Sequence, residues 1–130
     1  RVLFRSSKLA PKRPEAPGAL TAVDPITGKV AWQYPFPDLP SSAGVMATAG
    51  DLVFTGRPTG EFMAFDAKTG KLLWQFKTSS AINSTAITYT FKGRQYISIA
   101  SGLGGGLATR YAGDLVPTGG SIWTFALPKN

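Results

Sequence analysis

One sentence of this sequence is written twice. Ala22–Tyr34 reads AVDPITGKVAWQY, and Ala64–Phe76 reads AFDAKTGKLLWQF. Both follow Ala-x-Asp-x-x-Thr-Gly-Lys-x-x-Trp-Gln and close on an aromatic residue, 42 positions apart. In each copy an apolar run leads into the Asp and another follows the Gly. Asp24 and Asp66 can accept hydrogen bonds from backbone N–H groups further along the turn. Gly28 and Gly70 can take positive φ, which a side chain makes costly. Pro25 presets φ near −65° at the first turn position. Each copy is therefore a β-hairpin, with Ala19–Val23 joined to Lys29–Tyr34 and Glu61–Phe65 joined to Lys71–Phe76.

The same reading extends along the chain. Val45–Ala49 and Leu52–Thr55 form two short strands around Gly50-Asp51. Thr85–Thr90 and Gln95–Ala100 form two more around Lys92-Gly93. A long Gly-rich loop precedes a last strand, Ser121–Leu127. No segment sustains a helical period, so the chain is all-β. The 15 glycines and 10 prolines suit many short strands joined by turns.

Counted in fours, Val45–Phe76 is one complete meander. Two strands of an earlier unit precede it and three of a later one follow. Four strands every forty or so residues is the pattern of propeller blades. A half, a whole and three quarters of a blade leave open edges, so the chain reads as a fragment needing more protein to close its ring.

Composition narrows the chemistry. The 130 residues contain no Cys and no His. Disulfides, thiolate nucleophiles, imidazole bases and the usual zinc ligands are all absent. The seven carboxylates (Glu15, Asp24, Asp38, Asp51, Glu61, Asp66 and Asp114) show no spacing of a ligand set or an acid/base pair, so neither catalytic nor metal-binding residues are assigned. The net charge of +7 is concentrated at the start, in Arg1, Arg5, Lys8, Lys12 and Arg13. With Pro11, Pro14 and Pro17, residues 1–17 read as a solvated basic connector ahead of blades at 18–130. No aromatic interleaves with these cations, so nucleic acid is not an expected partner. No stretch of about 20 apolar residues suggests a membrane span. The first residues lack the apolar core of a signal peptide; the chain is either cytosolic or its export signal precedes these residues.

The repeat resembles the tryptophan-docking motif of the quinoprotein dehydrogenases, eight-bladed β-propellers that use pyrroloquinoline quinone (PQQ). GVMATAGDLVFTG (Gly44–Gly56), FMAFDAKTGKLLWQF, TYTFKGRQYISIASGLGG (Thr88–Gly105) and IWTFALP (Ile122–Pro128) are similar, in order, to the C-terminal two to three blades of the PQQ alcohol and sugar dehydrogenases. The resemblance implies that Trp32 and Trp74 dock flat between adjacent blades, each indole N–H bonded to neighbouring backbone. Trp123 lies outside the repeat, at a third-strand position. The implied activity is oxidation of an alcohol or sugar hydroxyl, with two electrons passing to PQQ beside Ca²⁺ or a lanthanide. The metal ligands and the Asp base would come from earlier blades, outside this chain.

Two loops that approach the cofactor in the family fall within the chain. The first aligns with Ser42, Ala43 and Gly44, where methanol-oxidising relatives have Trp-Gly-Gly. The second aligns with Gly104, Gly105 and Gly106, where relatives have Gly-Gly-Trp. These six are the expected cofactor-binding residues, with a merely flexible GLGGG loop as the alternative. Both departures from Trp point outside the methanol-oxidising branch. Arg110 and Asp114 lie in the same long loop, as pocket lining or a solvated ion pair. Implied partners are the remaining blades, a small alcohol or sugar, and a cytochrome c or another electron acceptor. The implied compartment is the periplasm. A non-catalytic propeller with the same repeats, serving as an interaction scaffold, is the other reading.

Overall fold

A computed structural model describes residues 3–7, 18–104, 109 and 112–126. Its strands are β1 (Leu3–Ser7), β2 (Gly18–Val23), β3 (Val30–Phe36), β4 (Met46–Ala47), β5 (Leu52–Gly56), β6 (Glu61–Asp66), β7 (Leu72–Lys77), β8 (Ile87–Phe91), β9 (Arg94–Gly102) and β10 (Gly120–Ala126), and the described residues Thr109 and Ala112 of the long loop are helical. They form three antiparallel meanders, β1-β2-β3, β4-β5-β6-β7 and β8-β9-β10. The middle one is the complete four-stranded unit expected from the sequence.

The first sheet corrects one expectation. Residues 1–17 read as a connector, yet Leu3–Ser7 pairs with β2 from Leu3↔Val23 to Ser7↔Ala19. The run LFRSS supplies β-compatible residues, and pairing gives the backbone groups of β2 their second ladder. Charge and proline content describe the surroundings of this strand, not its backbone.

The two repeat turns are built alike. Asp24 Oδ1 accepts from the N–H groups of Ile26 (2.8 Å) and Thr27 (3.3 Å). Asp66 Oδ1 accepts from those of Lys68 (2.9 Å) and Thr69 (2.8 Å) and from the Thr69 hydroxyl (2.9 Å). Gly28 and Gly70 take φ of 70° and 71°. Their N–H groups close onto the Asp24 and Asp66 carbonyls at 2.8 and 2.9 Å. These donors hold both carboxylates below their ordinary pKa, through the Ile26 N–H first for Asp24 and the Thr69 hydroxyl first for Asp66. Both hairpins also carry a register shift at the same place, after Ala22 and after Ala64. Opposite those alanines stand Trp32 and Trp74. A small residue there leaves room for the indole ring, which accounts for the Ala of the repeat.

The middle sheet is packed on both faces. Val53, Met63 and Phe65 join Leu20 and Phe36 of the first sheet. Phe54, Phe62 and Ala64 join Ile97 and Ile99 of the third. Burial on both faces is why β5 and β6 read as continuous apolar runs, not as alternation. In the second seam Phe62, Trp74, Phe76, Trp123 and Phe125 form an aromatic cluster. Its ring centroids lie 5.1 Å apart for Trp74–Phe125, Phe76–Trp123 and Phe76–Phe125. The far face of the third sheet is different: Ile87, Tyr89, Phe91 and Ile122 are exposed. An apolar face of this kind is what a further blade covers.

Trp32 docks as expected. Its Nε1 donates to the Ala67 carbonyl in the next sheet's repeat turn, at 2.9 Å. Its ring lies against Gly70, so that a Cβ there would stand 2.5 Å from Cε3. The Trp of one repeat thus sits on the Gly of the next. Trp74 is packed by Phe62 and Phe125 but stays 39% exposed. Trp123 packs on Phe76 and donates to Ser121 Oγ at 2.9 Å.

Candidate functional site

Antiparallel pairing places the entry to β4, the β5–β6 turn, the exit of β7 and the exit of β9 on one side of the three sheets. The loop of Ser42, Ala43 and Gly44 and the segment that leaves β9 at Gly104 are on this side, opposite the repeat turns.

The loop entering β4 is fixed by its neighbours. Ser41 Oγ donates to the Gly56 carbonyl at 2.7 Å and accepts from the Ala43 N–H at 3.3 Å. Thr55 Oγ1 donates to the Gly44 carbonyl at 3.2 Å. Arg57 pairs with Asp38 at 2.5 Å, and its guanidinium lies 4.6 Å from the centre of the Phe36 ring. Partial burial pushes the Asp38 pKa up, but the Arg57 guanidinium outweighs it and the net shift is downward. Ala43 is buried in the second seam, and Gly44 abuts Thr85, where a Cβ would meet Oγ1 at 1.8 Å. Of the three loop residues only Ser42 presents an exposed side chain.

The segment leaving β9 is tied to the exit of β7 by buried hydroxyls. Ser101 Oγ lies 2.9 Å from Thr78 Oγ1 and accepts from the Ser80 N–H at 3.0 Å. The Gly102 N–H donates to the Ala81 carbonyl at 2.7 Å. Ser80 Oγ donates to the Pro117 carbonyl at 2.5 Å, reaching the far end of the long loop. Buried polar groups satisfied in this way hold a loop without a strand ladder.

Between the two loops stands Asn83. Its Nδ2 donates to the Gly104 carbonyl at 2.8 Å, and Ser42 Oγ donates to its Oδ1 at 3.2 Å. The junction borders a cavity of about 720 Å³, lined by Asn83, Ser84, Gly102, Leu103, Gly104 and Ile122 among others. None of the lining residues is charged. A Cβ on Gly104 would meet nothing within 4 Å. The structure thus brings Ser42 and Gly104 to one junction. Gly105, Gly106 and Arg110 lie outside the described residues. Asp114 is exposed in a tight turn where Val116 N–H bonds the Ala112 carbonyl at 3.2 Å.

Sequence reasoning passed over Asn83 and the Thr78, Ser80 and Ser101 hydroxyls. For Ser80 and Asn83 the signal is positional: SSAINST joins the exit of β7 to the entry of β8, on the same side as the exit of β9.

The sequence profile described as "Glucose/ethanol/alcohol dehydrogenase, beta-propeller domain" matches residues 2–97. The quinoprotein ethanol dehydrogenase of Pseudomonas aeruginosa is 49% identical over 118 residues, which are 86% of this chain and 19% of that protein. The lanthanide-dependent methanol dehydrogenase of Methylorubrum extorquens is 36% identical over 132 residues, 87% of this chain and 22% of that one. Among solved structures, a europium-containing methanol dehydrogenase superposes with a TM-score of 0.78 at 31% identity, covering 87% of this chain and 24% of that one. The quinohemoprotein alcohol dehydrogenase of Comamonas testosteroni gives 0.71 at 33% identity, covering 87% and 18%. The chain spans about a fifth of the length of the curated relatives it matches. With antiparallel meanders of three, four and three strands, an inter-sheet Trp–Gly dock and this matching profile, the chain belongs to the β-propeller family of the PQQ-dependent glucose, ethanol and alcohol dehydrogenases.

Proposed function

We propose that these blades are part of a PQQ-dependent dehydrogenase that oxidises the hydroxyl of a small alcohol and passes the electrons to an external acceptor. The observation that carries this reading is the Ser42–Asn83–Gly104 junction beside the cavity, where the resemblance expects cofactor loops. The cavity lies within the roughly 300–1,000 Å³ range of small-molecule sites. Its walls fit one side of a flat cofactor: Gly104 leaves open space, and the lining is neutral and largely apolar.

When bound, PQQ supplies the two-electron acceptor for the alcohol carbon. The residues of this chain supply shape and polar anchoring. Gly104 admits close approach, Leu103 adds apolar wall, and Ser42 with Asn83 closes the seam between two sheets. Opposite charge for the cofactor carboxylates, the metal ligands and the base are assigned to blades outside this chain. The metal is Ca²⁺ or a lanthanide. Relatives named for ethanol and methanol favour a small alcohol over a sugar. The acceptor is a cytochrome c or a comparable carrier, and the compartment is the periplasm.

The test uses the full-length protein that carries these blades, supplied with PQQ and Ca²⁺ or a lanthanide. It is expected to reduce a phenazine-type dye with a primary alcohol as donor, only when PQQ is present. The 130-residue chain alone is expected to be inactive, because catalysis requires metal, base and cofactor preorganised together. No PQQ-dependent reduction with any alcohol or sugar would favour the interaction-scaffold reading.

A further inference from the structure

The geometry points to Asn83 as a positioning residue: its side-chain amide clamps the Ser42 loop of the second sheet to the Gly104 segment of the third, and so sets the cofactor-side wall. The inference rests on the PQQ reading proposed above.

The orientation of the amide follows from its partners. A backbone carbonyl can only accept, so the group facing Gly104 is the NH₂. That leaves Oδ1 for the Ser42 hydroxyl, which donates. Each bond reaches a different sheet: Ser42 leads into β4, and Gly104 follows β9. Asn83 itself belongs to neither loop. It lies on the connection from β7 to β8.

That connection is fixed on both sides of Asn83. Ile82 is fully buried, and its N–H donates to the Arg57 carbonyl at 3.0 Å. The Ala81 carbonyl accepts from Gly102 at 2.7 Å. Beyond Asn83, Ser84 Oγ donates to the Ala100 carbonyl at 3.0 Å. Gly56 is what lets Ile82 come so close, since a Cβ there would stand 2.1 Å from its Cγ2. A side chain held on an anchored backbone with both ends bonded is the arrangement that positions a site.

The test compares wild type, Asn83→Leu, Asn83→Asp and Ser42→Ala in the full-length protein. Leu matches the shape of Asn without either bond. Asp keeps an acceptor for Ser42 but sets a negative oxygen against the Gly104 carbonyl. In the protein without PQQ, hydrogen exchange at Leu103 and Gly104 is expected to speed up at least tenfold in both Asn83 variants, with β5 unchanged. PQQ affinity with Ca²⁺, read by quenching of intrinsic fluorescence, is expected to weaken at least tenfold in both, and about two- to fivefold in Ser42→Ala, which loses one bond. Melting temperatures should stay within about 3 °C of wild type, since the side chain is only half-buried. Unchanged exchange in Asn83→Leu would overturn the clamp. Faster exchange with unchanged PQQ affinity would overturn its role in positioning the cofactor wall. A wild-type protein that binds no PQQ would overturn the functional reading and this role with it, while exchange would still report whether Asn83 joins the loops.

Discussion

Gly70→Ala is expected to destabilise the protein by about 2–5 kcal/mol, while Gly28→Ala costs only about 1–2 kcal/mol. The two glycines close the same turn with φ of 71° and 70°, so the backbone cost of a side chain is the same at both. They differ in what lies above them. A Cβ on Gly70 would enter the ring of Trp32, 2.5 Å from Cε3, whereas one on Gly28 meets nothing within 4 Å. The difference between the two losses therefore isolates the dock from the turn. Urea unfolding of both variants in the full-length protein measures it. Equal losses would mean that the Trp–Gly dock adds nothing to the repeat.

Trp32→Ala is expected to cost about 3–5 kcal/mol. The ring covers Gly70 and packs against the first seam, and its N–H is bonded to the Ala67 carbonyl. Trp32→Phe keeps much of the apolar cover and loses the donor, so about 1–3 kcal/mol should go. In the full-length protein Trp74→Ala is expected to match Trp32→Ala. Trp74 already packs against Phe62 and Phe125 and remains partly exposed, and the full-length protein is expected to cover that remainder. A loss below about 1 kcal/mol at Trp74 would contradict its burial between blades.

These two positions also mark what the sequence makes legible. A doubled motif announces its turns, because Asp, Thr and Gly each answer a local backbone demand that does not depend on the rest of the fold. The Lys92-Gly93 turn is equally local, with φ of 48° and 73° as a two-residue primed turn requires. The third-strand position of Trp123 follows from alignment with Met63 and is where β10 places it. Residues whose state is decided by distant partners were harder. Leu3–Ser7 becomes a strand because β2 offers it an edge, and nothing in its basic, proline-flanked surroundings says so. The strand expected over Val45–Ala49 shrinks to Met46–Ala47 because Asp51 takes φ of 59° and Thr48 already bonds Leu52 across the turn. Thr85–Thr90 begins two residues late, at Ile87, because Thr85 is taken up against Gly44 and Ala86 is buried in the seam.

The site divides in the same way. The family resemblance flagged the two loops, and the structure sets Ser42 and Gly104 on either side of one amide. Ala43 and Gly44 serve packing through their side-chain positions, since one fills the seam and the other admits Thr85. Asn83 carries no motif of its own. Its role appears only when the ends of β7, β8 and β9 are brought to one side.

The most direct test of the central claim, that these blades form one wall of a PQQ site, is a PQQ titration of the full-length protein and its Gly104→Val variant, with thermal melts alongside. Gly104 has open space around its absent side chain, so Val should fold with a melting temperature close to wild type. If the space is the cofactor's, the same isopropyl group enters it and PQQ binding weakens at least tenfold, about 1.4 kcal/mol. Unchanged PQQ affinity in a variant that folds normally would contradict the claim.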